Sequence, residues 1–517
     1  MTDDMNRAGI LARFNCLAPP VHAKPVVQAL RHHRRPPDNR TDLTMLQIFY
    51  SAYWARVPKP ALAFSMIVVT LMLVWPTNKL MPLNAFDQPF YIGITHDMLD
   101  YGRFTNGFMF ESKPHEDPPP PGMRFTPVYP AILYVVARFD PVFRSAINCV
   151  VRTRAKSDSC PESNILVRRI QFVMLCVIYW LIWWMTRRVS GQDRVAWLAL
   201  GIGLLTASDM LGHVDYVMTE ITSIFFVTLT FTALIEATVR QRHGLLWFGA
   251  AGIFAGLAGL TRPEYPYVAV FSCVLFGFFA LFSKQKLRNA ASILVFMGAL
   301  TLTITPWIAR NRIVLGRTAF TSSYGAHVLN ERIAFDEMTW FEYRLSYLCW
   351  LPDGNGMGSL LFGPHTCDRF QWSSDPNSFY SIGNGQLMQQ SLKASGGWPH
   401  MMPYLIKTYI IPHAFKHFLV TIPLALRGAY VNRYWGLILL PICLLMTWRA
   451  LRRRDAQILI LTMPAWINLL FVSAVSVDQP RYNLMLIIPY SISGAIMLEH
   501  FLRTRVMVRR IETDTAF

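Results

Sequence analysis

The sequence predicts an all-α polytopic membrane protein with about ten membrane-spanning helices. Three observations lead there. Of 517 residues 53% are hydrophobic and only 15% charged, where soluble domains carry about 25% charge, and the mean hydropathy is +0.29. Ten apolar segments are long enough, or nearly so, to cross a hydrocarbon core about 30 Å thick as helices. The net charge of +18 is concentrated in alternate connections between those segments, as expected when Lys and Arg stay on the cytoplasmic side. A disordered chain is excluded, because 13% aromatic residues are too much apolar surface to leave solvated. Charge sorted by membrane side also argues against a nucleic-acid partner, despite a pI near 9.7.

The elements follow in order. The tail 1–58 is basic, with Arg31, Arg34, Arg35 and Arg40, and lacks the apolar core and cleavage site of a secretory signal; a start at Met45 would leave the reading unchanged. The first span is Ala61–Pro76, followed by an outer loop over 77–164. Leu166–Met185 returns to the cytoplasmic Arg187, Arg188 and Arg194, and Val195–Leu211 leads to a short outer turn at Asp209–Glu220. Ile221–Val239 ends at Arg240 and Arg242; Leu245–Leu260 and Tyr265–Phe282 flank a tight outer turn at Arg262–Glu264. Lys284, Lys286 and Arg288 precede Ala290–Ile308, after which a long outer region runs from Ala309 to about Arg433. Tyr434–Trp448, the basic run Arg449 to Arg454, Ala456–Val475, the outer turn Ser476–Arg481 and Leu484–Leu502 complete the set, and Arg503, Arg505, Arg509 and Arg510 close the chain. Both termini are then cytoplasmic. Two further apolar stretches, Val128–Phe139 and Tyr404–Leu426, are interrupted by Pro or charge and read as interfacial helices; if one of them crossed instead, every side downstream would invert.

Cysteines fit the same topology. Cys149 with Cys160, and Cys349 with Cys367, share outer loops, while Cys176, Cys273 and Cys443 lie in apolar helices. An outer compartment permits disulfides, so those two pairs are the expected bridges, the alternative being four free thiols.

The outer side gathers most of the remaining polar residues. Asp87, Glu111, Lys113, Arg124, Asp215, His213, Glu220, Arg262, Glu264, Arg310 and Arg481 fall near expected outer helix ends or in outer loops. Arginine pairs with phosphate through its planar fork of donors, and a carboxylate can take a proton from a hydroxyl. Such a shell suits an anionic group handled at a lipid surface. Each residue also has a plainer reading: Asp87 as a solvated interface carboxylate, Glu220 as a helix N-terminal charge, and Arg262 and Arg310 as partners of lipid phosphate. His213 reads more simply as a polar loop residue than as a metal ligand, and no Cys and His spacing matches a structural zinc site.

The order of short motifs resembles the GT-C glycosyltransferases, which include the protein O-mannosyltransferases and bacterial aminoarabinose transferases. The run Asn84-Ala85-Phe86-Asp87-Gln88-Pro89-Phe90-Tyr91 with Leu99-Asp100-Tyr101-Gly102 looks like their first-loop Asp segment. Arg124-Phe125-Thr126-Pro127-Val128-Tyr129-Pro130 resembles their Pro-rich interfacial segment. Met218-Thr219-Glu220, Leu260-Thr261-Arg262-Pro263-Glu264, Thr305-Pro306-Trp307 with Arg310-Asn311, and Pro480-Arg481-Tyr482-Asn483 continue the series. Two placements compete for the basic residue ahead of the Pro step, Lys113 or Arg124, and residues from Ala319 to Arg427 match no motif of the family.

The resemblance implies a GT-C fold. Its parts would be a cytoplasmic tail 1–58, a transmembrane module 59–311 including the loop 77–164, an extracytoplasmic region 312–433 with an interfacial helix, and C-terminal helices 434–517. It further implies transfer of a sugar from a polyprenyl-phosphate carrier to a glycan, lipid or protein acceptor at the outer face of the inner membrane. Asp87 would act as base in an inverting displacement, with Glu220 beside it. Arg262, Arg310, Arg481 and either Lys113 or Arg124 would face the donor phosphate. Asp215, Glu111, His213 and Glu220 are candidates for the acceptor or for a divalent cation. Two other classes stay open. A transporter or flippase should show ionisable residues along a path through the helices, whereas here the charge lies at their ends. A non-catalytic scaffold of the same shape would leave the motifs without chemistry.

Overall fold

The structure is a computed structural model that describes residues 59–75, 81–108, 118–156, 160, 163–240, 243–372 and 375–514, with side chains up to 504. The tail 1–58, Glu111 and Lys113 lie outside the described residues. Lys59–Phe517 forms one compact unit, and no strand occurs among the described residues.

In chain order the helices are α1 (Lys59–Val74), α2 (Gln88–Asp100), α3 (Val128–Phe139), α4 (Pro141–Arg152), α5 (Ile165–Ser190), α6 (Asp193–Leu204), α7 (Ala207–Val214), α8 (Glu220–Val239), α9 (Gly244–Thr261), α10 (Tyr265–Leu281) and α11 (Lys286–Leu315). The second part holds α12 (Tyr324–Ala334), α13 (Trp340–Cys349), α14 (Gly354–Phe362), α15 (Met388–Ser395), α16 (Trp398–Leu405), α17 (Ala414–Ala429), α18 (Tyr434–Arg453), α19 (Ala456–Val475) and α20 (Ile487–Asp514).

Among the described residues seven helices are long and apolar enough to cross a membrane: α5, α8, α9, α11, α18, α19 and Pro480–Thr504. The protein is therefore a multi-pass membrane protein. All ten expected spans are helical, but three depart from a straight crossing. α1 and α10, at 16 and 17 residues, reach only about 24–26 Å. The expected span Val195–Leu211 breaks by 57° between α6 and α7, where the Thr206 hydroxyl takes the Gly203 carbonyl at 2.6 Å and competes with the helical ladder. The stretch read as an interfacial helix, Tyr404–Leu426, lies in a pair bent by 100° between Trp398–Ile410 and α17, which is not one straight crossing.

Close approach of α9 and α11 sets one wall of the bundle. A Cβ on Gly252 would sit 2.2 Å from the Phe296 carbonyl oxygen, and one on Gly256 would sit 2.6 Å from Thr303 Cβ. The four-residue spacing of these glycines lets the two backbones touch, as small residues do between membrane helices. α11 also runs two turns past its expected end at Ile308, closing on the left-handed Gly316 (φ +68°), so Arg310 stands on a helix and not in a loop.

The basic connections share one end of the bundle. Arg188 and Arg240 meet Glu236 at 2.8 and 2.7 Å, Arg187 and Lys59 meet Asp193, and Arg503 meets Glu499 at 2.8 Å. The opposite end carries the region expected as a long loop over 312–433, which is instead largely helical, α12 to α17. Arg332, fully buried, fastens it: its guanidinium donates to the Ser473 and His417 carbonyls, to Thr421 Oγ1 and to Asp336 at 2.7–3.1 Å. His417 in turn meets Asp336 at 2.6 Å and the Ala474 carbonyl at 2.9 Å. Cys149–Cys160 and Cys349–Cys367 are both joined, with Cα atoms 5.6 and 5.5 Å apart.

Candidate active site

The site is assembled around a turn before α2. Phe86 takes a left-handed backbone (φ +53°), and Gln88 is fully buried behind it. The Gln88 amide nitrogen donates to the carbonyls of Pro82 and Ala85 at 2.9 and 3.1 Å, and its oxygen accepts from the Val217 amide at 2.8 Å. One side chain thus ties the turn bearing Asp87 to the strand of chain that opens α8 with Glu220. A ring contact of 5.3 Å between Phe86 and Tyr216 closes the same seam.

Four more charged residues converge on this point. Arg481 donates to Asp87 Oδ2 at 3.3 Å and to the Tyr482 hydroxyl at 3.2 Å, and approaches Glu220 Oε1 at 4.0 Å. Arg262, at the end of α9, lies 3.6 Å from the same Glu220 oxygen and 2.5 Å from Glu264. Both guanidiniums lie 5.1 Å from the centre of the Tyr482 ring, within cation–π range. The order Asp87, Arg481, Glu220, Arg262, Glu264 therefore alternates in sign around one tyrosine. Glu220 is 3% exposed and Asp87 46%, so the inner carboxylate holds the arginines while the outer one is half-buried with one side open.

Electrostatics follow from that difference. Burial raises the Asp87 carboxyl above its ordinary value and Glu220 pushes it further, while Arg481 and Arg262 pull it down. The result is a carboxylate of raised basicity that remains able to ionise, as a base toward a hydroxyl should be. Burial would weaken the Arg262 cation, but Glu264 and Glu220 outweigh it and hold the group well above its ordinary range.

The other expected residues fall in three places. Arg124, 6% exposed, approaches from the loop before α3; it donates to Ser323 Oγ at 3.1 Å and stacks over Trp398 at 5.6 Å. Burial lowers it to about 10, against the influence of Tyr324 and Glu331. Arg310 is directed elsewhere: it donates to the carbonyls of Gly122 and Phe104 at 2.6 and 2.9 Å and to Asn311 at 3.0 Å, packed on Trp307 and Phe104. It pins Phe104 and Gly122 and does not join the cluster. Asp215 is ion-paired with Arg168 at 2.6 Å and accepts from the Trp75 indole at 3.1 Å, so it holds the first turn of α5 against the end of α1 and does not converge with Asp87 and Glu220. His213 is half-buried on α7. Among the described residues no group of three or more His, Cys, Asp or Glu could hold a metal ion.

Several site residues were given no role by the sequence reading. Glu264 and Tyr482 stood in quoted motifs beside residues that were. Tyr91 and Tyr324 are half-buried and feel the charges of the cluster. Tyr324 and Glu331 lie on α12, inside the stretch that resembles no motif. Tyr91 alone had a signal, being four residues after Asp87 and so one helical turn away.

Residues 148–314 match the family model described as dolichyl-phosphate-mannose-protein mannosyltransferase. That stretch of the chain is similar to this mannosyltransferase family. The match covers α4 to α11, a third of the chain, and includes the motifs at Glu220, Arg262 and Arg310 on which the GT-C resemblance was read. No curated protein matches the chain. Among solved structures it is similar to the Archaeoglobus fulgidus oligosaccharyltransferase in its apo form, at 13% identity and a TM-score of 0.47, over 89% of this chain and 52% of that one. It is also similar to ArnT from Cupriavidus metallidurans bound to undecaprenyl phosphate, at 14% identity and a TM-score of 0.35, over 84% of this chain and 76% of that one. The chain thus spans about half the length of the archaeal protein.

Proposed function

We propose that this GT-C protein is a membrane glycosyltransferase that moves a sugar from a polyprenyl-phosphate carrier to an acceptor hydroxyl, at the outer face of the inner membrane with both termini cytoplasmic. The observation that carries the reading is the alternating cluster of Asp87, Arg481, Glu220 and Arg262 at one end of an apolar bundle. Asp87 takes the acceptor proton as the oxygen attacks the anomeric carbon, and a single displacement inverts that centre. Arg481 and Arg262 stabilise the charge growing on the departing phosphate, with Arg124 closing from the loop. Glu220 keeps both arginines aimed, since its Oε1 lies between them and its Oε2 has no hydrogen-bond partner among the described residues.

Behind the cluster an apolar groove of about 980 Å³ opens between α8, α9, α10, α11 and α19, with Tyr265 and Met485 at its near end. It suits a polyprenyl chain whose phosphate rests at the arginines. The acceptor is a glycan, lipid or protein hydroxyl entering on the exposed side of Asp87.

The test is direct. Lipid extracted from the purified protein should contain a polyprenyl-phosphate sugar, and the protein should consume that lipid in detergent with release of polyprenyl phosphate. Asp87→Asn should abolish consumption while still retaining the lipid. Undiminished turnover by that variant would remove Asp87 from the mechanism.

A further inference from the structure

The same groove has a second mouth that the transfer reaction does not use. α10 lines it from Tyr265 to Ala280, a run of about 24 Å along the helix, which is most of a hydrocarbon core about 30 Å thick. At the end away from Asp87 it is lined by Lys284, Gln285, Asn289 and Arg454. Lys284 and Arg454 are exposed, and none of the described residues lining the groove is acidic. The nearest carboxylate in sequence, Asp455, is committed to the amides of Gln457 and Ile458 at 3.1 and 3.2 Å. Small side chains midway, Ala269, Ser272 and Cys273, keep the passage open.

We propose that this far mouth binds an anionic phospholipid of the adjacent leaflet, its phosphate held by Lys284 and Arg454 and one acyl chain running into the groove. Charge decides the class, because two cations with amide donors beside them and no acid in the lining favour an anionic headgroup over a zwitterionic one. Length allows company. A chain from each leaflet reaches about 15 Å, half the core, so a phospholipid tail from this mouth and a longer tail from the Asp87 end would meet inside the groove. This inference rests on the membrane reading and not on sugar transfer, so a protein inactive in every transfer assay would still bind the phospholipid.

The experiment is native mass spectrometry of the full chain released from nanodiscs of equal phosphatidylglycerol and phosphatidylcholine. Phosphatidylglycerol adducts should predominate, and Lys284→Gln with Arg454→Gln should reduce the preference by about fivefold per cation. Parity in the unaltered protein, or an undiminished preference in the double variant, overturns the site. Ser272→Phe narrows the groove and leaves the mouth intact, with Cys273→Trp as the second filler if the first does not fold. Either should also lower retention; full retention in a folded filler overturns the seating of the acyl chain.

Discussion

Asp87 and Arg481, 394 positions apart in the chain, meet at 3.3 Å. One belongs to the turn after the first helix and the other to the turn before the last, so the proposed base and the nearest cation come from opposite ends of the sequence.

Asp87→Asn keeps the shape and removes the base. We expect kcat to fall by about 10²- to 10⁴-fold, the usual contribution of a positioned general base. Stability should barely change, because the carboxyl is half exposed. Single-turnover rates and a melting curve on the same preparation check both.

Arg481→Gln has two consequences. Loss of a charge stabiliser should cost about 10²- to 10³-fold in rate. Because Arg481 lowers the Asp87 pKa, its removal raises that pKa, leaves the base protonated to higher pH, and moves the acid limb of the pH–rate profile upward. An unmoved limb would separate the two residues functionally.

Glu220→Gln should move the same limb the other way. Glu220 raises the Asp87 pKa, so neutralising it lets Asp87 ionise at lower pH. The variant should also lose about 1–3 kcal/mol of stability, since two guanidiniums lose a buried carboxylate. Urea titration of the two variants side by side, with their pH profiles, tests the opposed signs.

The outer helical region should depend on its bridge. Cys349 and Cys367 are 18 positions apart, a loop whose closure stabilises by roughly 2–4 kcal/mol, and Gly358 packs against Cys367 Sγ so closely that a Cβ there would sit 2.5 Å away. Replacing both cysteines by Ala should lower Tm, and reductant should lower the Tm of the unaltered protein but not of the double variant beyond the Cys149–Cys160 contribution.

Asp478 provides a test on stability. Burial raises its carboxyl from 3.8 to about 8, against hydrogen bonds from Ser473 and Asn483 that favour the ionised form. A folded pKa above the unfolded one means the contribution is full below pH 3.8 and declines as pH rises toward 8. Asp478→Asn, which can still accept from Asn483 and donate to Ser473, should flatten stability between pH 4 and 8; a slope equal to that of the unaltered protein would contradict this.

Legibility in the sequence followed the physics of each feature. Spans such as Leu166–Met185 and Ala456–Val475 were legible because hydrocarbon thickness sets a length that composition alone can meet. Asp87, Glu220, Arg262 and Arg481 were legible as residues at helix ends with motif neighbours, but not as one alternating chain of charge, because their meeting depends on contacts such as Gln88 to Val217 that no local pattern encodes. Arg310 and Asp215 show the limit: both sit where site residues would, yet their partners, the Gly122 carbonyl and Arg168, lie more than forty positions away. Helices α12 to α15 are short and mixed in polarity, so neither span length nor a single periodicity announced them, and with them Tyr324 and Glu331 stayed hidden.

The Arg332 fastening has a mechanical meaning. Its donors end on Ser473, His417, Thr421 and Asp336, so lifting α12 from the bundle would strand a guanidinium in a dry interior with several broken bonds at once. α12 is thus tied to α17 and α19 at a single buried point and must move with them as one body, not as a hinged cover.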